Sequence, residues 1–274
     1  MRYTLHMALH FGLLPQGDRA ELTTAFEEFV TWLGKRSGQE ITPHPLRSYE
    51  ELAEALEGRV VQLAWVPPLV HIRTDPRAAV PLVSARRNGK GTFEAVLVVP
   101  EDSPLKTEAD LARVRAAWVD PWSATGFVVP RLELSERGYD PRKLFRSETF
   151  CGSHRSCITA LTEGAADVAG TFARFDGTGD PESGGWGTVP GAKVRVLARF
   201  GEVPTDVVCA AASIDGVTLK KLEEAFVHAG KEPEVQAMLR TVFNADEFTP
   251  RVEGNYGDLR RRFDRAQRKG LFGA

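Results

Sequence analysis

Two short stretches carry the residues most able to do chemistry. The first is Asp120-Pro121-Trp122-Ser123-Ala124-Thr125-Gly126, and the second is Gly152-Ser153-His154. In each, small or hydroxylated residues form a turn directly ahead of a helical pattern. Such a turn leaves backbone N–H groups without intrahelical partners and aims the positive end of the helix dipole the same way. Serine and threonine hydroxyls add donors, and the histidine adds another whose charge responds to pH near neutrality. Together these groups suit an anion. Helix capping alone calls for the same residue types, so the surrounding elements must decide between the two readings.

Those elements alternate between strand and helix. An opening strand over 3–12 leads to Pro15 and Gly17, and a helix over 19–36 places Leu22, Ala25, Phe26, Phe29, Val30 and Leu33 on one stripe. A strand near 40–46 follows. Ser48 and Glu51 form a capping box for a helix that ends at Gly58, ahead of the buried strand Val60–Trp65, which Pro67-Pro68 closes. The pattern restarts with strands over 93–99 and 116–119, the Asp120 turn, a helix to Gly138 and a strand over 146–150. A helix from Ser153 to Gly164 and a strand over 167–172 come next. Ala55–Gly58 with its strand resembles Ala160–Gly164 with its strand, an internal echo consistent with two βα lobes of one plan. Residues 176–191, rich in Gly, Pro, Ser and Asp, read as a mobile loop. Strands over 194–200 and 207–212 and helices over 217–229, 232–243 and 256–268 complete the chain. Repeated βαβ units predict an α/β fold with helices on both faces of its sheets and ligands at the carboxyl ends of strands. The Asp120–Gly126 turn falls at such an end.

Composition narrows the function classes. The 274 residues are 42% hydrophobic and 26% charged, with a net charge of −2, so no global basic field points to nucleic acid. The run Arg260-Arg261-Arg262…Arg265…Arg268-Lys269 is interleaved with Asp258 and Asp264 and reads as a solvated helix face. No stretch reaches the ~18–20 apolar residues of a membrane span. Three cysteines, Cys151, Cys157 and Cys209, are too few for a disulfide scaffold. Cys151, His154 and Cys157 have ligand-like spacing but lack the fourth partner a structural zinc needs, so no metal or cofactor is expected. His6 and His10 share a strand face and read as ordinary core or surface residues. The N-terminus lacks the pattern of a signal peptide. With Met1 as the native start the protein is expected to be cytoplasmic, and periplasmic or extracellular if a leader has been removed.

The order and spacing of several pieces resemble the phosphate/phosphite/phosphonate substrate-binding proteins of ABC importers. Leu9-His10-Phe11-Gly12-Leu13-Leu14-Pro15 resembles the family's first strand. Ser48-Tyr49, Glu57-Gly58 and Ala64-Trp65 resemble its first lobe, and Gly91-Thr92-Phe93-Glu94-Ala95 with Asp102-Ser103-Pro104-Leu105 resembles the crossover into its second. Asp120-Pro121…Ser123-Ala124-Thr125-Gly126, then Pro130, resembles its Asp-Pro-x-Ser-x-Ser/Thr-Gly signature. Gly152-Ser153-His154 and Gly164-Ala165-Ala166-Asp167-Val168 resemble its second anion-binding element, and Val203-Pro204-Thr205-Asp206 its return crossover. The resemblance implies a two-lobed type II periplasmic-binding-protein-like fold, each lobe a mixed sheet flanked by helices, with two crossover segments at the hinge. Lobe 1 is expected over 1–91 plus 201–274, and lobe 2 over 92–200.

It further implies a non-enzymatic solute-binding protein whose lobes close on a small oxyanion. Ser123, Thr125 and nearby N–H groups of Ala124 and Gly126 would hold the anion. His154 would add a donor, Tyr49 a hydroxyl from the other lobe, and Asp206 a carboxylate facing a ligand amine. Two residues depart from the pattern. Ala124 replaces a hydroxyl residue and Phe93 replaces a common tyrosine, each removing a hydrogen bond worth about 0.5–1.5 kcal/mol. With Trp65 and Trp122 adding aromatic bulk, the expectation is either a weaker anion site or a ligand larger and more apolar than a bare phosphonate. The partners implied are the small anion and, if the protein is exported, an ABC permease; the protein is expected to be a monomer and to bind no nucleic acid. Alternatives on the same fold are a cytosolic enzyme resembling chorismate dehydratase, with His154 or Asp206 as acid or base, and a ligand-sensing module.

Overall fold

In the computed structural model, which describes residues 8–14, 19–250, 252 and 254–272, the apolar periodicities of the sequence become buried faces. His6, Pro15, Gly17 and the first residues of the expected opening strand lie outside the described residues. The chain groups into two units, the described residues of Met1–Gly91 with Thr205–Gly254, and those of Thr92–Pro204 with Asn255–Ala274.

The first unit begins with β1 (Leu9–Leu13), α1 (Arg19–Ser37), β2 (Ile41–Pro45), α2 (Tyr49–Glu57), β3 (Leu63–Val66), α3 (Pro68–Arg73) and β4 (Ala79–Arg86). The second contains β5 (Thr92–Pro100), β6 (Arg115–Trp118), α4 (Val129–Glu136), α5 (Pro141–Leu144), β7 (Ser147–Phe150), α6 (His154–Thr162), β8 (Val168–Phe175), β9 (Pro181–Gly184) and β10 (Val194–Pro204). The chain then returns to the first unit through β11 (Val207–Ala211), α7 (Gly216–Ala229), α8 (Pro233–Phe243) and β12 (Glu247–Thr249). It ends in the second with α9 (Tyr256–Arg268).

One sheet runs β12-β4-β11-β3-β1-β2 and the other β10-β5-β8-β6-β7, with β9 on β8. The pairs β1/β2, β1/β3, β6/β7 and β6/β8 are parallel, while β11/β3 and β5/β8 are antiparallel. Both sheets are therefore mixed. In the first unit the α1 stripe of Leu22, Phe26, Phe29, Val30 and Leu33 is buried with Phe11, Trp65, Phe226, Phe243 and Phe248. Edge-to-face ring pairs such as Phe11–Phe26 at 5.2 Å and Phe29–Phe243 at 5.0 Å fix how these rings interlock.

The internal echo extends through the backbone at a constant shift of 105 residues. Phe11 pairs Leu63 and Ala116 pairs Val168; His10 pairs Thr42 and Arg115 pairs Ser147. Ser48 caps α2 and Ser153 caps α6, each accepting from the N–H three residues on. The Ala55 carbonyl receives the N–H groups of Val60 and Val61, and that of Ala160 receives those of Ala165 and Ala166. The left-handed residue that ends the helix is Arg59 (φ 59°) in one copy and Gly164 (φ 73°) in the other.

Three features differ from the sequence reading. The expectation grouped 201–274 with the first lobe, but α9 packs on the second unit, where Ala266 and Leu271 bury against Leu132 and Arg262 and Arg265 pair with Glu133 and Glu136. The chain consequently passes between units a third time, at Gly254–Asn255. Pro67-Pro68 closes β3 as expected, yet Pro68 also opens α3, because proline lacks only an N–H that a first helical turn leaves unpaired anyway. The segment 176–191, expected to be a loop, contains β9 and a short helical turn over Gly185–Thr188. Asp176 ties its beginning, accepting from the N–H groups of Thr178 and Asp180.

Candidate functional site

The Ser123 turn follows the carboxyl end of β6, and its shape has a local cause. Asp120 Oδ1 accepts the Trp122 N–H at 2.7 Å and the Asp120 carbonyl accepts that of Ser123 at 2.9 Å, a side-chain-supported turn. Over Ala124–Val128 the backbone then winds one residue wider than an α-helix, with Val128 N–H bonded to Ser123 O and Val129 N–H to Ala124 O. Pro130 sits in the first turn of α4 and has no N–H to give to Gly126 four residues back. The Gly126 carbonyl instead accepts from Val119 N–H. Only glycine fits at 126, because a Cβ there would lie 2.3 Å from Val119 Cγ2 and 2.7 Å from Ser123 Oγ.

The turn offers buried donors. Ser123, Ala124 and Thr125 are each 5% exposed or less. Ser123 Oγ accepts the Gly126 N–H at 3.0 Å, which leaves its own proton to donate. Among the described residues the Thr125 hydroxyl has no hydrogen-bond partner. The oxygen keeps some exposure to solvent, so a ligand oxygen there takes the place of water.

His154 opens α6, beyond the carboxyl end of β7. Its Nδ1 lies 2.9 Å from Thr171 Oγ1 on β8, and its ring meets Phe172 edge-on at 5.0 Å. Burial pushes its pKa down to about 4. The sequence reading expected a charge sensitive to pH near neutrality; desolvation instead keeps the imidazole neutral there. When the Thr171 hydroxyl donates to Nδ1, the proton sits on Nε2, which has no partner among the described residues and keeps some exposure to solvent. Gly185 covers the pair so closely that a Cβ on it would lie 2.0 Å from Thr171 Oγ1. Thr171 was missed from sequence; a threonine inside the otherwise apolar run 168–173 was the available signal.

The other expected residues have varied surroundings. Phe93 is buried on β5, 5.7 Å from Phe172 and so one ring removed from His154. Trp122 is half-buried beside the Ser123 turn. In the first unit Tyr49 is buried at the start of α2, the position that His154 holds in α6. Trp65 packs on Phe243 at 5.0 Å and Phe248 at 6.0 Å as part of the core. Asp206 is paired with Arg87 at 3.1 Å. That buried guanidinium also donates to Thr205 Oγ1 and to the carbonyls of Phe243 and Asn244, an anchor the sequence reading did not find. Among the described residues no three His, Cys, Asp or Glu side chains group to hold a metal, and no helix is long and apolar enough to cross a membrane.

The family described as "ABC transporter, phosphonate, periplasmic substrate-binding protein" matches residues 11–256. The phosphonates-binding periplasmic protein of Escherichia coli (strain K12) is 23% identical over 241 residues, covering 85% of this chain and 69% of the relative. A binding protein component of an ABC phosphonate transporter from Pseudomonas aeruginosa superposes with a TM-score of 0.81 at 18% identity, over 98% of this chain and 90% of that one. A Prochlorococcus marinus protein solved in complex with methylphosphonate gives 0.79 at 18% identity, over 95% of this chain and 98% of that one. The fold is thus the expected type II periplasmic-binding-protein-like α/β architecture.

Proposed function

The chain belongs to the phosphonate family of ABC-transporter periplasmic substrate-binding proteins, and on that premise we propose that its second unit grips a small phosphonate- or phosphate-like oxyanion at the Ser123 turn. The observation that carries this reading is the hydroxyl of the buried turn residue Thr125, which keeps some exposure to solvent and has no hydrogen-bond partner among the described residues. A tetrahedral oxyanion would take the protons of Ser123 and Thr125, the open N–H groups at the start of the turn and the neutral Nε2–H of His154. Bonds to a charged acceptor are each worth about 1.5–3 kcal/mol, so three or four suffice for micromolar binding after the cost of association.

In this reading affinity comes from donors rather than from a cationic side chain, which suits a ligand that must later be released. The apolar side is supplied by Ala124, Phe93 and Trp122, favouring an alkyl- or aryl-bearing phosphonate over bare phosphate. Asp206 and Trp65 have a structural role here, through Arg87 and the aromatic core. The protein acts as a monomer on the periplasmic side, binds without turnover and delivers its ligand to an ABC permease. Thermal-shift measurements with phosphate, methylphosphonate, a larger alkylphosphonate and sulfate test this. A rise in melting temperature is expected for the phosphonates and to be largest for the alkyl compound. No rise with any of the four contradicts the reading.

A further inference from the structure

Three arginines are buried among the described residues, Arg87, Arg131 and Arg174. The first two are anchored alike. Each gives its Nε–H to a backbone carbonyl, of Asn244 and of Leu271, and an Nη to a carboxylate, Asp206 and Glu148. Arg174, on β8 and 6% exposed, is held differently. Its Nη1 donates to Ser183 Oγ on the neighbouring β9 at 3.5 Å, the outer limit of a hydrogen bond. Its Nε is buried and makes no hydrogen bond among the described residues. An N–H of a charged group left unbonded inside a protein costs stability, so the position of this side chain calls for a reason.

Its surroundings supply one. Residues two apart on a strand project from the same face, which sets Arg174 beside Phe172. The guanidinium carbon lies 5.6 Å from the centre of the Phe172 ring, and the His154 ring lies 5.0 Å from that same centre. Phe93 flanks it at 5.7 Å. A half-buried phenyl ring thus links the histidine of the anion site to a buried cation, all within the second unit. We propose that Arg174 sets ligand specificity by binding a carboxylate on the organic arm of the phosphonate, with the arm lying along Phe172 and Phe93. Resting on the oxyanion reading of the Ser123 turn, this subsite selects a short-chain phosphonocarboxylate. The planar guanidinium fork matches the two oxygens of a carboxylate, and the ring beside it favours a cation there. The single long contact to Ser183 lets the fork turn towards an incoming acid, which gives Nε a charge-assisted bond. The oxyanion itself is still held by neutral donors.

Isothermal titration of the full chain with methylphosphonate, 3-phosphonopropionate and 3-methylbutylphosphonate tests this. The last two share one shape, and only 3-phosphonopropionate carries the extra negative charge. Wild type is expected to bind 3-phosphonopropionate at least about tenfold more tightly than its uncharged isostere. In Arg174→Met that preference should disappear, and Arg174→Lys should keep only part of it, because an ammonium lacks the fork. Methylphosphonate, which has no arm to reach Arg174, reports whether each variant retains its oxyanion site. Wild-type binding of methylphosphonate with equal affinity for the two isosteres overturns the proposal and leaves the oxyanion reading standing. A preference that survives in Arg174→Met does the same. Binding of none of the three compounds overturns both. The wild-type comparison decides the matter even where a variant fails to fold.

Discussion

Ser48 and Ser153 cap equivalent helices in the two units, yet the residue after each cap is Tyr49 in one and His154 in the other. The strands beside them share one register, shifted by 105 residues, and even the carbonyls that close the helices are used alike. What differs is how buried polar groups are satisfied. In the first unit the Arg87 guanidinium donates to Thr205, Asp206 and two carbonyls, so that each of its nitrogens has a partner. In the second, the Thr125 hydroxyl and one nitrogen of His154 have no partner among the described residues and keep some exposure to solvent. A repeated scaffold has thus been given a structural polar hub in one copy and open donors in the other. Donors open to solvent are free to bond a ligand in place of water.

That contrast can be broken most forcefully at Arg87. Replacing it with alanine leaves Asp206 and two carbonyls without their partner, and urea denaturation should show a loss of about 3–5 kcal/mol. Variant protein that remains folded should keep its oxyanion affinity. A smaller effect is expected from protonating His154. Because its folded pKa of about 4 lies below the ordinary 6.5, the unfolded chain binds the proton more readily, and stability should fall as pH drops from about 6.5 towards 4. The full contribution is about 3 kcal/mol, and His154→Gln should flatten that part of the stability–pH curve. An unchanged slope in the variant would show that some other group supplies it. The smallest pair sharpens the repeat itself. Gly164→Ala should destabilise by about 1 kcal/mol, because φ is 73° there, whereas Arg59→Gly at φ 59° should be neutral to stabilising by about 0.5 kcal/mol. Calorimetric melting of the two variants gives opposite signs if the copies end their helices the same way.

Much of this fold was legible because its signals are local. The stripe Leu22, Phe26, Phe29, Val30 and Leu33 marks α1 by spacing alone, and Ser48 with Glu51 marks the start of α2. Glu51 accepts the N–H of Arg47 rather than that of the cap, a one-residue shift that sequence cannot specify. The echo between Ala55 and Ala160 was visible, but its constant register emerges only from strand pairing. α3 was hidden by a proline pair that ends one element and begins the next, and β12 is only three residues long. The site was half legible: Ser123, Thr125 and His154 stand out as helix-start chemistry. Thr171, Arg87 and the burial that neutralises His154 depend on contacts between distant parts of the chain, which no local pattern records. α9 was misplaced for the same reason, since its ion pairs reach Glu133 and Glu136 from the far end of the sequence.

The central claim is that the second unit's open donors are there for an oxyanion, and isothermal titration of wild type and Thr125→Val with methylphosphonate tests it most directly. Valine keeps the shape and removes only the hydroxyl. The account predicts saturable binding to wild type, affinity at least about tenfold weaker in the variant, and an unliganded stability equal to or slightly above wild type. Equal affinity in the two proteins, or a variant destabilised by loss of the hydroxyl, would contradict it.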